Sequence, residues 1–471
     1  MVGELILKEL RDSLLSLRFQ VGLLLALVLV SVSAFVLSTS YQRERSEHFQ
    51  RLNQEDEVLR KYAHSNRIGM MIEARRPPSP LVLVRGLSDE ARVETLDANP
   101  MLELHPPMDL TAIVAVILSL LGIVIGFDAL NSEKERGTLR LMLANHLRRL
   151  DVVIAKWVSG TLVLVFAFVA AVLFGLIILR LRSGADWVGD DWLSVALACL
   201  VSLLYGGVFF SLALTFSAVF HRSSLSVLAS LFAWVMFVLV IPNISPYVAA
   251  QIVRLPSRAA LTRDVYYLIS DERDELGRAG QRKVTEKYRN QFQLGDLAPD
   301  EVKRRAASDP EFGRLYDQYR REVEAVWNEV NQIQQAKAKR LEDAWQSLAE
   351  SQFGLSKRLS YASPLPPLIY AATELSLTGF GSREDFDRKA EAYDRVLDEY
   401  LDARFSEEQK KDPTFSWNDF LDVSTRPRFT YVPPPFAERF ASALPFVAFL
   451  VGWNLLFFTT AIFSFLRFDV R

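Results

Sequence analysis

Residues 127–156 read FDALNSEKERGTLRLMLANHLRRLDVVIAK, with apolar runs at about 110–125 before them and about 152–179 after them. Two apolar runs parted by so short a polar stretch imply two membrane helices joined by a loop. Ser132 followed three residues later by Glu135 is a capping-box pattern, so a helix is expected to start there. Glu133 and Glu135 fall in its first turn, where carboxylates suit the positive end of the helix dipole. Gly137 interrupts, and Thr138 can cap a second turn. Leu139, Met142, Leu143, Leu147 and Leu150 recur at three- and four-residue spacing and share one face, while Arg140, Arg148 and Arg149 add positive charge. The expectation is an amphipathic helix over 131–150, held between two spans and suited to passing on a push from a soluble partner.

The chain has 471 residues, half of them hydrophobic, and the apolar ones concentrate in blocks of about 20, the length that crosses a bilayer as a helix. The net charge of -2 sums opposite biases in different loops, and no basic tract points to nucleic acid. Cys199 is the single cysteine, which excludes an internal disulfide and a cysteine-rich metal site; the five histidines show no ligand spacing.

Around the central loop the sequence predicts an all-α polytopic membrane protein of six transmembrane helices. Residues 1–20 carry an apolar stripe (Leu5, Ile6, Leu10, Leu14, Leu17) opposite Glu4, Lys8, Glu9, Arg11 and Asp12, which reads as an uncleaved amphipathic helix at the membrane surface. The first span covers 21–38. Residues 39–108 form an extracytoplasmic segment whose start can continue the helix as a stalk, with a minor β element at Leu81–Val84. Residues 109–245 hold the second to fifth spans, with Trp187 and Trp192 at an interface and Pro242 and Pro246 ending the fifth. Residues 246–438 form a large, mainly helical extracytoplasmic domain. Tyr316, Tyr319, Val323, Val326, Val330 and Ile333 keep a heptad register there, and Leu341, Ala344 and Leu348 resume it after a stutter. A long helix packed in its own domain is expected, the alternative being a hairpin that pairs with a partner. Ser363–Gly379 is too short and too proline-rich to span, and fits a surface or core helix. Residues 439–471 supply the sixth span and the C-terminus.

Lys8, Arg11 and Arg18, the basic residues of the central loop, Arg222, Arg467 and Arg471 all fall on one side of this plan. By the positive-inside rule both termini and the central loop are then cytoplasmic, in a cytoplasmic (inner) membrane. No G-x-x-x-x-G-K-[ST] phosphate loop and no G-x-S-x-G elbow occurs, so the chain is not expected to be an enzyme or to hold a cofactor. Ionisable residues are nearly absent from mid-span, where an ion-driven transporter keeps its relay. Energy is therefore expected to enter through the central loop.

Phe127, Asp128, the run Glu133-Lys134-Glu135-Arg136-Gly137-Thr138-Leu139-Arg140, and Arg148 through Lys156 resemble the membrane subunit of an ABC exporter of the type-2 permease family. The amphipathic N-terminus, the six-span plan and the closing Phe-x-Arg-x-Asp-Val resemble it too. Arg-Arg-Pro-Pro-Ser-Pro (75–80) and Leu-Ser-Leu-Thr-Gly-Phe-Gly (375–381) are similar to a subgroup with a large extracytoplasmic insert. The resemblance implies a dimer with a second permease copy or a paralogue, in the lipid bilayer, bound to cytoplasmic ABC ATPase subunits that bind the ATP. It implies that Glu133, Arg136, Gly137 and Thr138 contact the ATPase, with Leu139, Met142 and Leu143 as an apolar pad. Two other readings stand beside export. One is a mechanotransmission complex acting on an extracytoplasmic envelope protein, and the other is a membrane-anchored scaffold or sensor.

Overall fold

A backbone inside a bilayer has no water to bond, so the apolar blocks pair within themselves as helices. The computed structural model describes residues 2–62, 72, 74–79, 81, 83–86, 108–139, 148–184, 187, 189–292, 305, 308–412, 415 and 419–467. Its helices are α1 (Val2–Leu14), α2 (Leu17–Tyr62), α3 (Leu110–Ile113, a π turn Val114–Leu118, then Ser119–Gly126), α4 (Asn131–Glu135), α5 (Arg149–Ser183) and α6 (Gly189–Val219). They continue with α7 (Ser223–Trp234, a π turn Val235–Val240, then Ile241–Ile252), α8 (Arg258–Tyr266, Tyr267–Glu272 and Arg273–Phe292), α9 (Pro310–Ser360), α10 (Leu365–Leu375), α11 (Phe380–Lys411) and α12 (Phe436–Leu466). Six stretches among the described residues are long and apolar enough to cross a membrane, as expected. Two compact units emerge: 1–242 with 361–471, and 243–360. The second boundary falls inside 246–438, which was expected as one domain.

In the first unit α6 is the axis. It is apolar on all sides, and a helix of that kind is surrounded. Val201, Tyr205, Phe209, Phe210, Ala213 and Leu214 are buried. Small residues let α3 approach it. A Cβ on Gly122 would sit 2.9 Å from the Gly206 carbonyl oxygen, and one on Gly126 would sit 2.9 Å from that of Phe210. The pair is a G-x-x-x-G spacing, which brings two membrane helices into backbone contact. On the other flank Asn454 of α12 donates to the Leu204 carbonyl at 2.8 Å, and Thr215 of α6 donates to that of Phe457 at 2.7 Å.

Two π turns free carbonyls inside the spans, and side chains pair with them. Ala115 accepts from Tyr205 Oη at 3.1 Å and from Ser119 Oγ at 2.6 Å, and Trp234 donates to Ser119 Oγ at 2.8 Å. In the second turn the Phe237 carbonyl accepts from Ser363 Oγ. That turn also corrects an expectation. Pro242 and Pro246 do not end the fifth span; the helix runs through both to Ile252. The π turn has already shifted the hydrogen-bond ladder there, with the Ile241 N–H bonded to the Met236 carbonyl, so the missing prolyl donors cost less.

Leu81–Val84 forms no strand in its described residues. Leu81, Leu83 and Val84 are buried, and the Leu83 carbonyl accepts from the Leu110 N–H at 2.9 Å. Side-chain burial explains the β-like composition, while the backbone bonds go to the start of α3. Helix α10 is a core helix: Leu365, Leu368, Ala371, Ala372 and Leu375 join the core built on α6. Beyond it, the strap 419–435 is tied to α2 and α11. Arg426 bonds Glu55 at 3.2 Å and Asp56 at 2.6 Å, and Leu59, Leu397, Leu421 and Val423 pack together. Asp385 meets Arg388 at 2.6 Å and Lys389 at 2.7 Å, and Lys389 also donates to the Val432 carbonyl at 2.8 Å. Burial would raise the Asp385 pKa, but the bonds from Lys389 and Arg388 win and hold it below the usual carboxylate range.

In the second unit α9 lies against α8. Trp327 donates to Gln281 at 3.2 Å, Glu322 accepts from Lys287 and Tyr288 at 2.8 Å each, and Lys337 pairs with Glu272 at 3.1 Å. The buried stripe leaves the expected register. Ile333 is 47% exposed and Leu348 41%, while Gln334 and Ala338 are buried and Trp345 is half-buried. One straight helix on a neighbour follows its own 3.6-residue period rather than a supercoil's 3.5.

Replacing Gly122 by Leu overpacks the α3–α6 crossing and is expected to cost about 2 kcal/mol. Gly452→Ala, with nothing within 4 Å of its Cβ, is expected to be neutral in the same thermal unfolding series in detergent. Because the folded Asp385 pKa is depressed, its contribution is present above the unfolded value of about 3.9 and is lost as pH falls through the folded value. The protection factors of the 428–432 amides, the intrinsic rate divided by the observed exchange rate at each pH, are therefore expected to stay flat from about pH 8 to 5 and to fall only below about pH 4. Asp385→Asn is expected to show the lowered protection throughout.

Candidate functional site

The central loop is anchored almost residue by residue. The expected capping box does not form, because a neighbouring helix has taken its place. Leu130, at the boundary of α4, is helical with no side-chain cap, and the Leu130 and Asn131 N–H groups donate to Ser217 Oγ of α6 at 2.9 and 3.1 Å. The Glu135 carboxylate reaches outward to the Ser223 N–H at 2.7 Å, the first residue of α7. Lys134 Nζ donates to the Ser217, Ala218 and Phe220 carbonyls at 2.9, 2.7 and 3.1 Å. An ammonium on the last carbonyls of α6 meets both their unpaired oxygens and the negative end of the dipole. With its amide turned to donate, Asn131 reaches the Ser217 and Phe220 carbonyls at 2.7 and 2.6 Å.

Glu133 turns inward. Its Oε1 pairs with Lys156 of α5 at 2.8 Å, and Lys156 also meets Glu9 of α1 at 3.1 Å. Lys156 is 4% exposed, so this is a buried triad with two carboxylates to one ammonium. Among the described residues Glu133 Oε2 has no hydrogen-bond partner, which leaves Lys156 as the group that keeps the carboxylate in place. Leu139 is buried too, in a small core with Leu130, Val152, Val153, Leu214, Ala218, Ala461 and Phe465. That core joins α5, α6 and α12 beneath the loop. Arg149 donates to the Leu466 carbonyl at 3.1 Å, and Arg18 pairs with Asp128 at 2.7 Å beside the Phe127 ring.

The sequence-predicted residues therefore divide. Glu133 and Leu139 face the interior. Arg136 and Gly137 are exposed, and Gly137 has φ +72°, a left-handed turn that ends the helical run at no steric cost. Thr138 is half-buried, with Oγ1 3.4 Å from the Glu133 carbonyl. Met142 and Leu143, with the rest of 140–147, lie outside the described residues. Sequence reasoning missed Lys156, Glu9 and Ser217 as parts of the site. Lys156 did carry a signal, since a lone ammonium in VVIAKWV has to find a carboxylate when the helix packs. Ser217 carried none, because one more serine in an apolar helix reads as filler.

Among the described residues no group of three or more His, Cys, Asp or Glu side chains could hold a metal ion. The site is mechanical in build: one exposed tip, and ties to α1, α5, α6, α7 and α12. Comparison with curated proteins gives no match. The family described as ABC-2 family transporter protein matches residues 4–470, nearly the whole chain. Taken with the six apolar helices and the anchored loop between the second and third of them, this match makes the chain a member of the ABC-2 transporter family of membrane proteins.

Proposed function

We propose that this chain is the permease subunit of an ABC exporter, in which a separate cytoplasmic ATPase binds and hydrolyses ATP and drives a substrate across the cytoplasmic membrane. The observation that carries the reading is the keyed loop. A displacement of the Arg136–Gly137 tip must move α4, and α4 is bonded to three other helices: to α5 through Glu133, to α6 through Lys134 and Ser217, and to α7 through Glu135. The tip makes the first contact with the ATPase, and Met142 and Leu143 supply the apolar pad. Glu133 and Leu139 act inward, as struts between that contact and the spans. The basic residues gathered at this end support a cytoplasmic loop and cytoplasmic termini. A second permease, identical or paralogous, completes the complex.

Mechanotransmission is the second reading, and the second unit favours it. Helix α9 has 51 residues, about 75 Å of continuous helix at 1.5 Å per residue. A rod of that length is suited to carrying ATP-driven movement to an envelope protein without any cargo.

In mild detergent an ABC ATPase is expected to co-purify with the wild-type chain and to be lost from Arg136→Glu, read by mass spectrometry. Absence of an ATPase from the wild type would sink both readings, and its retention by Arg136→Glu would move the docking point elsewhere. Lys156→Met is expected to keep the ATPase bound but to lose stimulated hydrolysis, and to cost about 3 kcal/mol by stranding the buried Glu133 and half-buried Glu9 carboxylates. Adding Glu9→Gln and Glu133→Gln to it is expected to recover most of that stability.

A further inference from the structure

Helices α2 and α5 run side by side; at Gly175 a Cβ would lie 2.6 Å from Val30 Cγ1, and further along Gln42 and Arg45 bond the end of α5. A groove of about 490 Å³ opens between the two helices, lined by Ser31, Val32, Phe35, Ile178, Leu181 and Arg182. Its wall is almost wholly apolar. Leu181 is 81% exposed beside it. The Arg182 guanidinium sits at the far end of the groove, 4.1 Å from the centre of the Phe35 ring. Among the described residues no carboxylate pairs with it. Gln42 donates to the Arg182 carbonyl, and Arg45 donates to the Gly184 carbonyl at 3.1 Å, two residues beyond Arg182.

These cations are out of place for a membrane protein of this plan. The basic residues of its short loops collect around the 131–150 end of the bundle, whereas Arg182 lies in the last turn of α5 and Arg45 beyond the apolar part of α2. Attraction to the helix dipole accounts for a cation in the last turn of α5. It does not account for the apolar trough that leads up to it. A trough wide enough for an alkyl chain, closed at one end by a guanidinium stacked on an aromatic face, has the two-part chemistry of a lipid. Stacking holds the planar group while its edge N–H groups stay free to donate to phosphate oxygens.

We propose that the groove is a binding site for one anionic phospholipid of the surrounding bilayer. An acyl chain lies along Val32, Phe35, Ile178 and Leu181, and the phosphate takes hydrogen bonds from Arg182. The test uses the full chain in nanodiscs of equal phosphatidylglycerol and phosphatidylethanolamine, released gently and weighed by native mass spectrometry. The wild type is expected to retain phosphatidylglycerol over phosphatidylethanolamine by about fivefold per engaged arginine. Arg182→Gln, at an exposed position, is expected to lower that ratio about fivefold. Val32→Trp fills the trough without touching charge and is expected to lower retention of both lipids. Equal retention of the two lipids by the wild type overturns the proposal, as does an unchanged ratio in Arg182→Gln. Undiminished retention in Val32→Trp overturns the placement of the acyl chain.

Discussion

Lys156 sits at the start of a membrane helix with almost no access to water, held between Glu133 and Glu9. A buried ammonium without carboxylates would cost several kcal/mol, so the three elements that supply this triad must assemble together or not at all. The central loop, the N-terminal helix and the third span are joined at one point for that reason. The remaining anchors follow from the same position. Once Glu133 is drawn inward, Lys134 faces the end of α6, Glu135 faces the start of α7, and the tip at Arg136 and Gly137 is what remains outside.

Deeper in the bundle the constraint is the bilayer itself. Each π turn releases a carbonyl that hydrocarbon cannot satisfy, and each is met by a hydroxyl from another element: Tyr205 on Ala115, Ser363 on Phe237. Polar side chains inside these spans thus act as fasteners between helices. The Trp234–Ser119 and Asn454–Leu204 bonds do the same for α7 and α12. The hydroxyl of Ser363 is notable because it comes from the chain just before α10. It helps explain why a proline-rich segment too short to span becomes a core helix.

Much of this was legible in advance, and the misses share a cause. The spans were readable because length and hydropathy are properties of a segment alone. The break at Gly137 was readable because only glycine takes φ +72° freely. The capping box at Ser132 and Glu135 was a sound local pattern, but the helix starts one residue before Ser132, where Ser217, 86 residues from Asn131, accepts from the Leu130 and Asn131 N–H groups. The heptad in α9 was likewise real as a pattern, yet a straight neighbour selected Gln334 and Ala338 over Ile333. Pro242 and Pro246 read as a stop until the π turn ahead of them had been seen.

The sequence by itself determined that this is a helical membrane protein with six helices long and apolar enough to cross a bilayer, and that the 127–156 loop is its most distinctive feature. Those conclusions rest on hydrophobic length and backbone preference, which each residue carries with it. The tertiary structure alone decided which loop residues turn inward. Glu133 and Leu139 are interior, and Arg136 is not, because Lys156 and the α5–α6–α12 core lie where they do. A carboxylate and an ammonium on different helices have no signature in either segment taken alone. Their pairing becomes worth its desolvation only after packing has brought the helices into contact.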